Sequence, residues 1–252
     1  MNPYEEPGLY LADCMEAMKH FPDKFFDLAV VDPPYGDAEF TDNSIGGGAV
    51  RRLVQQVQDG TASDRGSTDT SVIRTGGTWA EKYGKKIIAW DVAPEQAYFD
   101  ELFRVSRNQI IWGGNYFRLP PCRCFLVWKK LTISESFSMA MAEYAWTSFN
   151  TNAKVFEAAP QGTVNEQRFH PTQKPVALYA WLLGKYAKPG DKILDTHAGS
   201  ASSLVACHRA GLDAWGFEID PVYYGMANER LQREKAQVTI YDCLGDSILS
   251  GQ

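Results

Sequence analysis

Between Val176 and Glu234 the apolar residues switch back and forth between two periods. Val176–Tyr186 has helical spacing and is closed by Lys188-Pro189-Gly190. Lys192–Asp195 is a short apolar run, Ser202–Arg209 is helical, Ala214–Glu218 is another short run, and Val222–Glu234 is helical again. A helix between two short buried strands forces a crossover connection, so the strands pair in parallel and the helices cover the sheet. This pattern excludes helix bundles and β-sandwiches, and it predicts an α/β fold with a doubly wound, mainly parallel sheet.

The rest of the chain extends the pattern. Phe25–Val31 reads as a buried strand, stopped at Asp32-Pro33-Pro34 because proline cannot donate to a sheet ladder. Glu95–Ser106 has helical spacing at Tyr98, Leu102, Phe103 and Val105. Gln109–Trp112 is a further buried strand, ended by Gly113-Gly114. Cys124–Trp128 and Glu143–Phe149 read as two strands of a hairpin with a wide loop. Residues 1–252 are expected to form one domain, a length that suits a single α/β core. Residues 37–78 are rich in Gly, Ser, Thr, Asp and Gln, with too little apolar surface to offset chain entropy. They are expected to form a long mobile loop inserted in that domain.

Several classes drop out. A hydrophobic content of 44 % with 22 % charged residues is globular. No run approaches the roughly 18 apolar residues of a membrane span, and the polar N-terminus shows no secretory signal. A cytoplasmic protein is expected. Five scattered cysteines make no disulfide framework, and Cys122-x-Cys124 has no second pair at zinc-finger spacing, so no metal site is expected. The net charge is −6, yet from Arg51 to Lys130 there are 13 Lys/Arg against 8 Asp/Glu, with 12 against 23 elsewhere. A basic middle in an acidic chain suits a phosphate-facing surface, and equally a solvated face.

Two strands end in chemistry. The first gives Asp32-Pro33-Pro34-Tyr35 and the second Asp195-Thr196-His197-Ala198-Gly199-Ser200-Ala201-Ser202. Ligands of open α/β sheets sit outside the carboxyl ends of strands, where small residues let a backbone approach closely. Glu218 ends the next strand at a spacing that suits a carboxylate on ribose hydroxyls. Small-residue turns and strand-end carboxylates are common, the latter as helix caps. Asp-Pro-Pro-Tyr is sharper: its chance occurrence in a chain this long is on the order of 0.1–0.3 %. A plain turn explains the prolines but not the flanking carboxylate and aromatic ring.

The chain resembles the amino-group DNA methyltransferases that use S-adenosylmethionine, in their permuted β group. Asp32–Tyr35 resembles their catalytic D-P-P-Y, and Asp195–Ser202 their cofactor turn, usually D-P-F-A-G-S-G-T. His170-Pro171-Thr172-Gln173-Lys174-Pro175 resembles the H-P-T-Q-K-P before it, and Ile110–Phe117 also has the family look. The resemblance covers residues 8–36 and 87–235. It implies a Rossmann-like methyltransferase fold, permuted in motif order. It also implies S-adenosylmethionine as cofactor, double-stranded DNA as partner, and DNA methylation, the chemistry of restriction-modification. A homodimer and a cognate restriction endonuclease are candidate protein partners. The departures are His197 in place of Phe and Ala201 in place of the second Gly, which puts a methyl near the cofactor.

The chemistry needs alignment and a better nucleophile more than an acid. Asp32 and a carbonyl of the rigid Pro33-Pro34 segment can accept both hydrogens of an exocyclic amine, favouring a tetrahedral nitrogen with its lone pair free. Tyr35 offers a face to a base taken out of the duplex. Asp32 is also placed to touch the methionine amino group. Glu218 is expected on the ribose, and Phe217 or Ile219 on the adenine ring. The resemblance puts Asp13, beside Cys14, on the adenine amine, with Asp242 as a rival for that place. His170 and Lys174 read as cofactor contacts or, as well, as a turn capping the helix at Val176. The resemblance implies adenine-N6 over cytosine-N4, because Asp32 stands before Pro-Pro-Tyr where many cytosine-N4 members carry Ser. A non-catalytic binding subunit is the rival from another class, opposed by the intact Asp32–Tyr35. A nicotinamide dehydrogenase would need a G-x-G-x-x-G, and Gly199 is alone in its turn.

Overall fold

The strand that carries Asp32 at its end, β2 (Phe26–Val31), lies inside the sheet with neighbours on both sides. The computed structural model describes residues 2–36, 92–135, 140–160 and 168–237. Among them β1 (Gly8–Leu11) and α1 (Cys14–Met18) precede β2. After β2 come α2 (Gln96–Val105), β3 (Ser106–Trp112), a 3-10 turn (Gly114–Tyr116), β4 (Phe125–Lys130), β5 (Ala142–Thr147) and β6 (Lys154–Ala158). Then α3 (Val176–Tyr186), β7 (Lys192–Asp195), α4 (Ser202–Arg209), β8 (Asp213–Glu218) and α5 (Pro221–Lys235) alternate as the sequence predicts.

The strands form one sheet in the order β1-β8-β7-β2-β3-β5-β4-β6. Neighbours are parallel except where β5 meets β3 and β4. The fold is thus a doubly wound, mostly parallel sheet of Rossmann-like type. β2 pairs directly with β7, Leu28 against Ile193 and Ala29 against Leu194, although most of the chain separates them. The carboxyl end of β2 therefore sits beside that of β7, and the permuted motif order costs nothing in space.

Alternate residues of the central strands feed two cores. Leu28, Val30, Ile110, Trp112 and Ile193 pack under α3, α4 and α5. Ala29, Val31, Ile111 and Leu194 pack under α1 and α2. Covered on both faces, these strands are continuously apolar, which is why they read as buried runs. Gly216 in β8 is required by one such packing: a β-carbon there would come within 2.7 Å of Leu204 on α4.

Two elements escape the sequence reading. α1 is only five residues, capped by Asp13, whose carboxylate accepts the N–H groups of Met15 and Glu16 at 2.7 and 3.2 Å. β6 alternates half-buried and exposed residues, a weaker signal than a buried run. β3 also begins three residues before Gln109, at Ser106 directly after α2. The expected loop at 37–78 and the rival residue Asp242 lie outside the described residues.

Candidate active site

The carboxyl ends of β1, β8, β7, β2 and β3 lie side by side, and each ends in a residue group singled out above. Leu11 pairs with Glu218, and the N–H of Ala12 reaches the Glu218 carbonyl at 3.0 Å, so Asp13 stands next to the end of β8. Asp195 ends β7, Asp32 follows β2, and Gly113-Gly114 follows β3.

At the end of β2, the Tyr35 hydroxyl donates to one Asp32 oxygen at 2.7 Å. The Lys174 ammonium bonds the other. Lys174 therefore comes to the Asp-Pro-Pro-Tyr motif, where the sequence reads it as a cofactor contact or as part of a capping turn. It is 4 % exposed and also pairs with Glu143 on β5 at 3.0 Å. Glu143 in turn pairs with Lys130 on β4 at 2.6 Å. Neither Glu143 nor Lys130 is flagged by a motif. Lys130 did leave a signal: it continues the inward series Leu126, Trp128, and an inward lysine requires a buried partner.

Burial lifts the Asp32 carboxyl above the ordinary range, and the nearby Lys174 offsets this only in part. Burial alone would lower the Lys174 ammonium, but Asp32 and Glu143 override it and raise it. Glu143, held by Lys174 and Lys130 against its own desolvation, falls to about 2. Desolvation and the Asp32 charge keep Tyr35 a neutral phenol, able to donate.

The glycines after β3 are needed for this arrangement. Gly113 has φ +67 and lies against the Tyr35 ring; Gly114 lies so close to Trp146 that a β-carbon would come within 2.4 Å of it. The exposed ring of Tyr116 stacks on Tyr35 with centroids 4.9 Å apart and planes at 14°, and Phe117 meets it edge-on. One face of Tyr35 is thus already covered.

At the end of β7 the turn 195–202 is tightly bonded. The buried Asp195 accepts from the Ser203 hydroxyl and from the His197 N–H, and burial pushes its carboxyl up to about 7. Glu218 accepts the N–H groups of Gly199 at 2.9 Å and Asp220 at 2.8 Å, one on each oxygen. The Ile219 backbone also bonds this carboxylate, which still keeps acceptor capacity for a hydroxyl. Gly199 has φ +51 beneath the His170 ring, which packs against Tyr223. Arg230 on α5 donates to the Ser200 carbonyl and the Ser202 hydroxyl, both at 2.9 Å, and fixes the inner side of the turn. Ala198 and Ser200 are buried in it. Ala201 adopts φ +58, the left-handed region that favours glycine.

His197 bonds Thr196 through Nδ1 at 2.9 Å and meets Tyr98 edge-on; burial lowers it to about 4, so it is a neutral ring at pH 7. Burial lowers His170 to about 4 as well. Cys14 opens α1 beside Asp13, and burial lifts its thiol to about 12. Phe217 is fully buried among Tyr4, Tyr10 and Phe21, whereas Ile219 is 63 % exposed. Of the two, only Ile219 presents a free face at the end of β8.

Residues 123–229 match the DNA methylase family model. A 65-residue stretch is 38 % identical to the type II methyltransferase M.HpaI of Haemophilus parainfluenzae, covering 26 % of this chain and 21 % of that one. The match spans about a fifth of that relative's length. A longer alignment, at 22 % identity, covers 91 % of this chain and 87 % of the type II methyltransferase M2.MboI of Moraxella bovis. Among solved structures, the cytosine-N4-specific PvuII DNA methyltransferase has the same fold: TM-score 0.54 at 11 % identity, over 92 % of this chain and 94 % of that one. Residues 123–229, which supply Lys130, Glu143, Lys174, the turn after β7 and Glu218, are thus the part of the chain that is similar to the DNA methylase family.

Proposed function

We propose that this protein transfers the methyl group of S-adenosylmethionine to the exocyclic N6 of an adenine turned out of double-stranded DNA. The observation that carries this reading is the juxtaposition of Asp32-Pro33-Pro34-Tyr35 and the turn 195–202 at the ends of two paired strands. The second site fits the cofactor: a close-packed backbone cradle at Gly199, a carboxylate with spare acceptor capacity at Glu218, and the exposed Ile219 beside it. Glu218 would hold the ribose hydroxyls, Ile219 would face the adenine, and Asp13 would take the adenine amine.

When bound, the cofactor supplies a sulfonium methyl, a strong electrophile whose C–S electron pair leaves on sulfur. The protein's work lies on the nucleophile. Asp32 accepts one hydrogen of the target amine, and a carbonyl of Pro33-Pro34 accepts the other. The nitrogen lone pair is released from conjugation with the ring and forms the new N–C bond. The proton this nitrogen then sheds passes to Asp32, the nearest acceptor. Tyr35 buttresses Asp32 through its hydroxyl while its ring, with Tyr116 and Phe117, forms an aromatic wall for the base. His197, being neutral, packs as the usual Phe would.

Asp in place of Ser before Pro-Pro-Tyr favours adenine. Cytosine-N4 is the second reading, supported by the fold shared with a cytosine-N4-specific enzyme. The test is transfer of labelled methyl from S-adenosylmethionine to DNA, followed by nucleoside separation. N6-methyladenine is the expected product. N4-methylcytosine would move the target but keep the mechanism, and no transfer to any DNA would overturn the activity.

A further inference from the structure

Behind Asp32 runs a line of four alternating charges that the methyl transfer itself does not use: Asp32, Lys174, Glu143 and Lys130. Its members come from four places in the fold, the ends of β2 and of the segment before α3, then β5 and β4. Lys174 and Lys130 are 4 % and 7 % exposed. The line sums to zero, so each inner charge has an opposite charge on both sides. The indole of Trp112 closes one side of Lys174, 5.4 Å from its ammonium, and is fully buried.

We propose that Glu143 and Lys130 are positioning residues of the reaction: Glu143 anchors the Lys174 ammonium that holds Asp32 toward the target amine, and Lys130 cancels the charge that Glu143 would otherwise set against the Asp32 carboxylate. This rests on the methyl-transfer reading above. The physical need is specific. A carboxylate in a dry site drifts to its neutral form, which cannot accept an amine hydrogen on that oxygen. Lys174 opposes the drift only while it stays extended onto Asp32. Glu143 fixes it there from the other side at 3.0 Å, while placing a negative charge near Asp32. Lys130 balances Glu143, which otherwise would repel Asp32.

The other titratable groups around Asp32 do not replace this line. Tyr35 and, from α2 and α3, Tyr98 and Tyr179 are phenols held neutral by burial. Asp195 at the end of β7 adds repulsion. His170, beyond Lys174, is uncharged at pH 7.

The proposal makes a prediction of sign. Removing a negative charge from the line must ease ionisation of Asp32, and removing a positive one must oppose it. In Glu143→Gln the acid limb of the kcat–pH profile moves to lower pH, and in Lys130→Met it moves to higher pH, each by roughly half a unit or more. Plateau kcat falls in both while KM for DNA and cofactor holds within about twofold. Lys130→Arg restores the wild-type profile. Lys188→Met, the same charge loss at the far end of α3, leaves the limb in place. Carbon-13 NMR titration of the Asp32 carboxyl, assigned with Asp32→Asn, must show the same two shifts without any turnover. Limbs and titrations that do not move, or move the same way in both variants, overturn the proposal. Wild-type protein that methylates nothing overturns the function instead, and the NMR titration then decides the charge line by itself.

Discussion

The ring of Tyr35 lies so close to the backbone of Gly113 that a β-carbon on Gly113 would sit 2.1 Å from Tyr35 Cε1. Tyr35 follows β2 and Gly113 follows β3, which pair in parallel. The missing side chain on one strand thus makes room for the aromatic residue of the other. Gly113→Ala meets both the positive φ and the ring, and the ring cannot retreat without leaving Tyr116 and Asp32. A stability loss of roughly 1–3 kcal/mol is expected. Methyl transfer should fall at least about tenfold, because Asp32 loses its hydroxyl partner. Denaturant melts and single-turnover transfer rates read the two effects, and a fully active variant would show that Tyr35 need not stay where it is.

Glu218→Ala is expected to weaken S-adenosylmethionine binding by about 1.5–3 kcal/mol for each charge-assisted bond lost. Stability should drop too, since the N–H groups of Gly199 and Asp220 lose their acceptor. Calorimetric titration measures the first and thermal unfolding the second. Lost stability with unchanged affinity would reduce Glu218 to a turn-holding residue.

Asp32→Ala separates binding from chemistry. The chemical step should be nearly abolished, since Asp32 acts as the amine nitrogen becomes tetrahedral. Binding of S-adenosylmethionine should remain measurable by calorimetry. Near-normal turnover would refute the mechanism.

Ala201 carries φ +58 at the position where the resembling family usually has glycine. Ala201→Gly relieves that conformation but loses a buried methyl. The net gain should be on the order of 0.5–1 kcal/mol, read as a raised denaturation midpoint at unchanged slope. A destabilised variant would mean that packing of the methyl outweighs the backbone strain.

His170 and His197 sit near pKa 4 in the folded chain, below their unfolded value near 6.5. The unfolded chain then binds more protons between these limits. Stability from these two groups is full above about pH 6.5 and is lost as pH falls toward 4. His197→Phe should make that loss shallower while preserving cofactor affinity at pH 7. Melting temperatures between pH 4 and 7 check it; an unaltered slope would mean that His197 is freely protonated in the fold.

The sequence by itself determined the strand and helix alternation after Val176 and the strand under Asp-Pro-Pro-Tyr. Both are local: buried parallel strands are continuous apolar runs, and proline and glycine end them by backbone chemistry. It also marked the residues at the strand ends, because a motif is a property of neighbours in the chain. Tertiary structure alone decided the partners. Lys174 reads in sequence as one residue of a helix-leading turn, yet it lies against Asp32 and Glu143, from segments far away in the chain. Phe217 and Ile219 are two apolar neighbours of Glu218, yet Phe217 lies within β8 and is sealed in a core, while Ile219 lies beyond the strand's end and is left open. Glu143 belongs to a strand whose outer half carries no motif, and only the register of β4 against β5 turns it toward Lys130 and Lys174. Long-range pairing of charges depends on which strands meet and in what register, and that is fixed by the packing of the whole sheet rather than by any stretch of sequence.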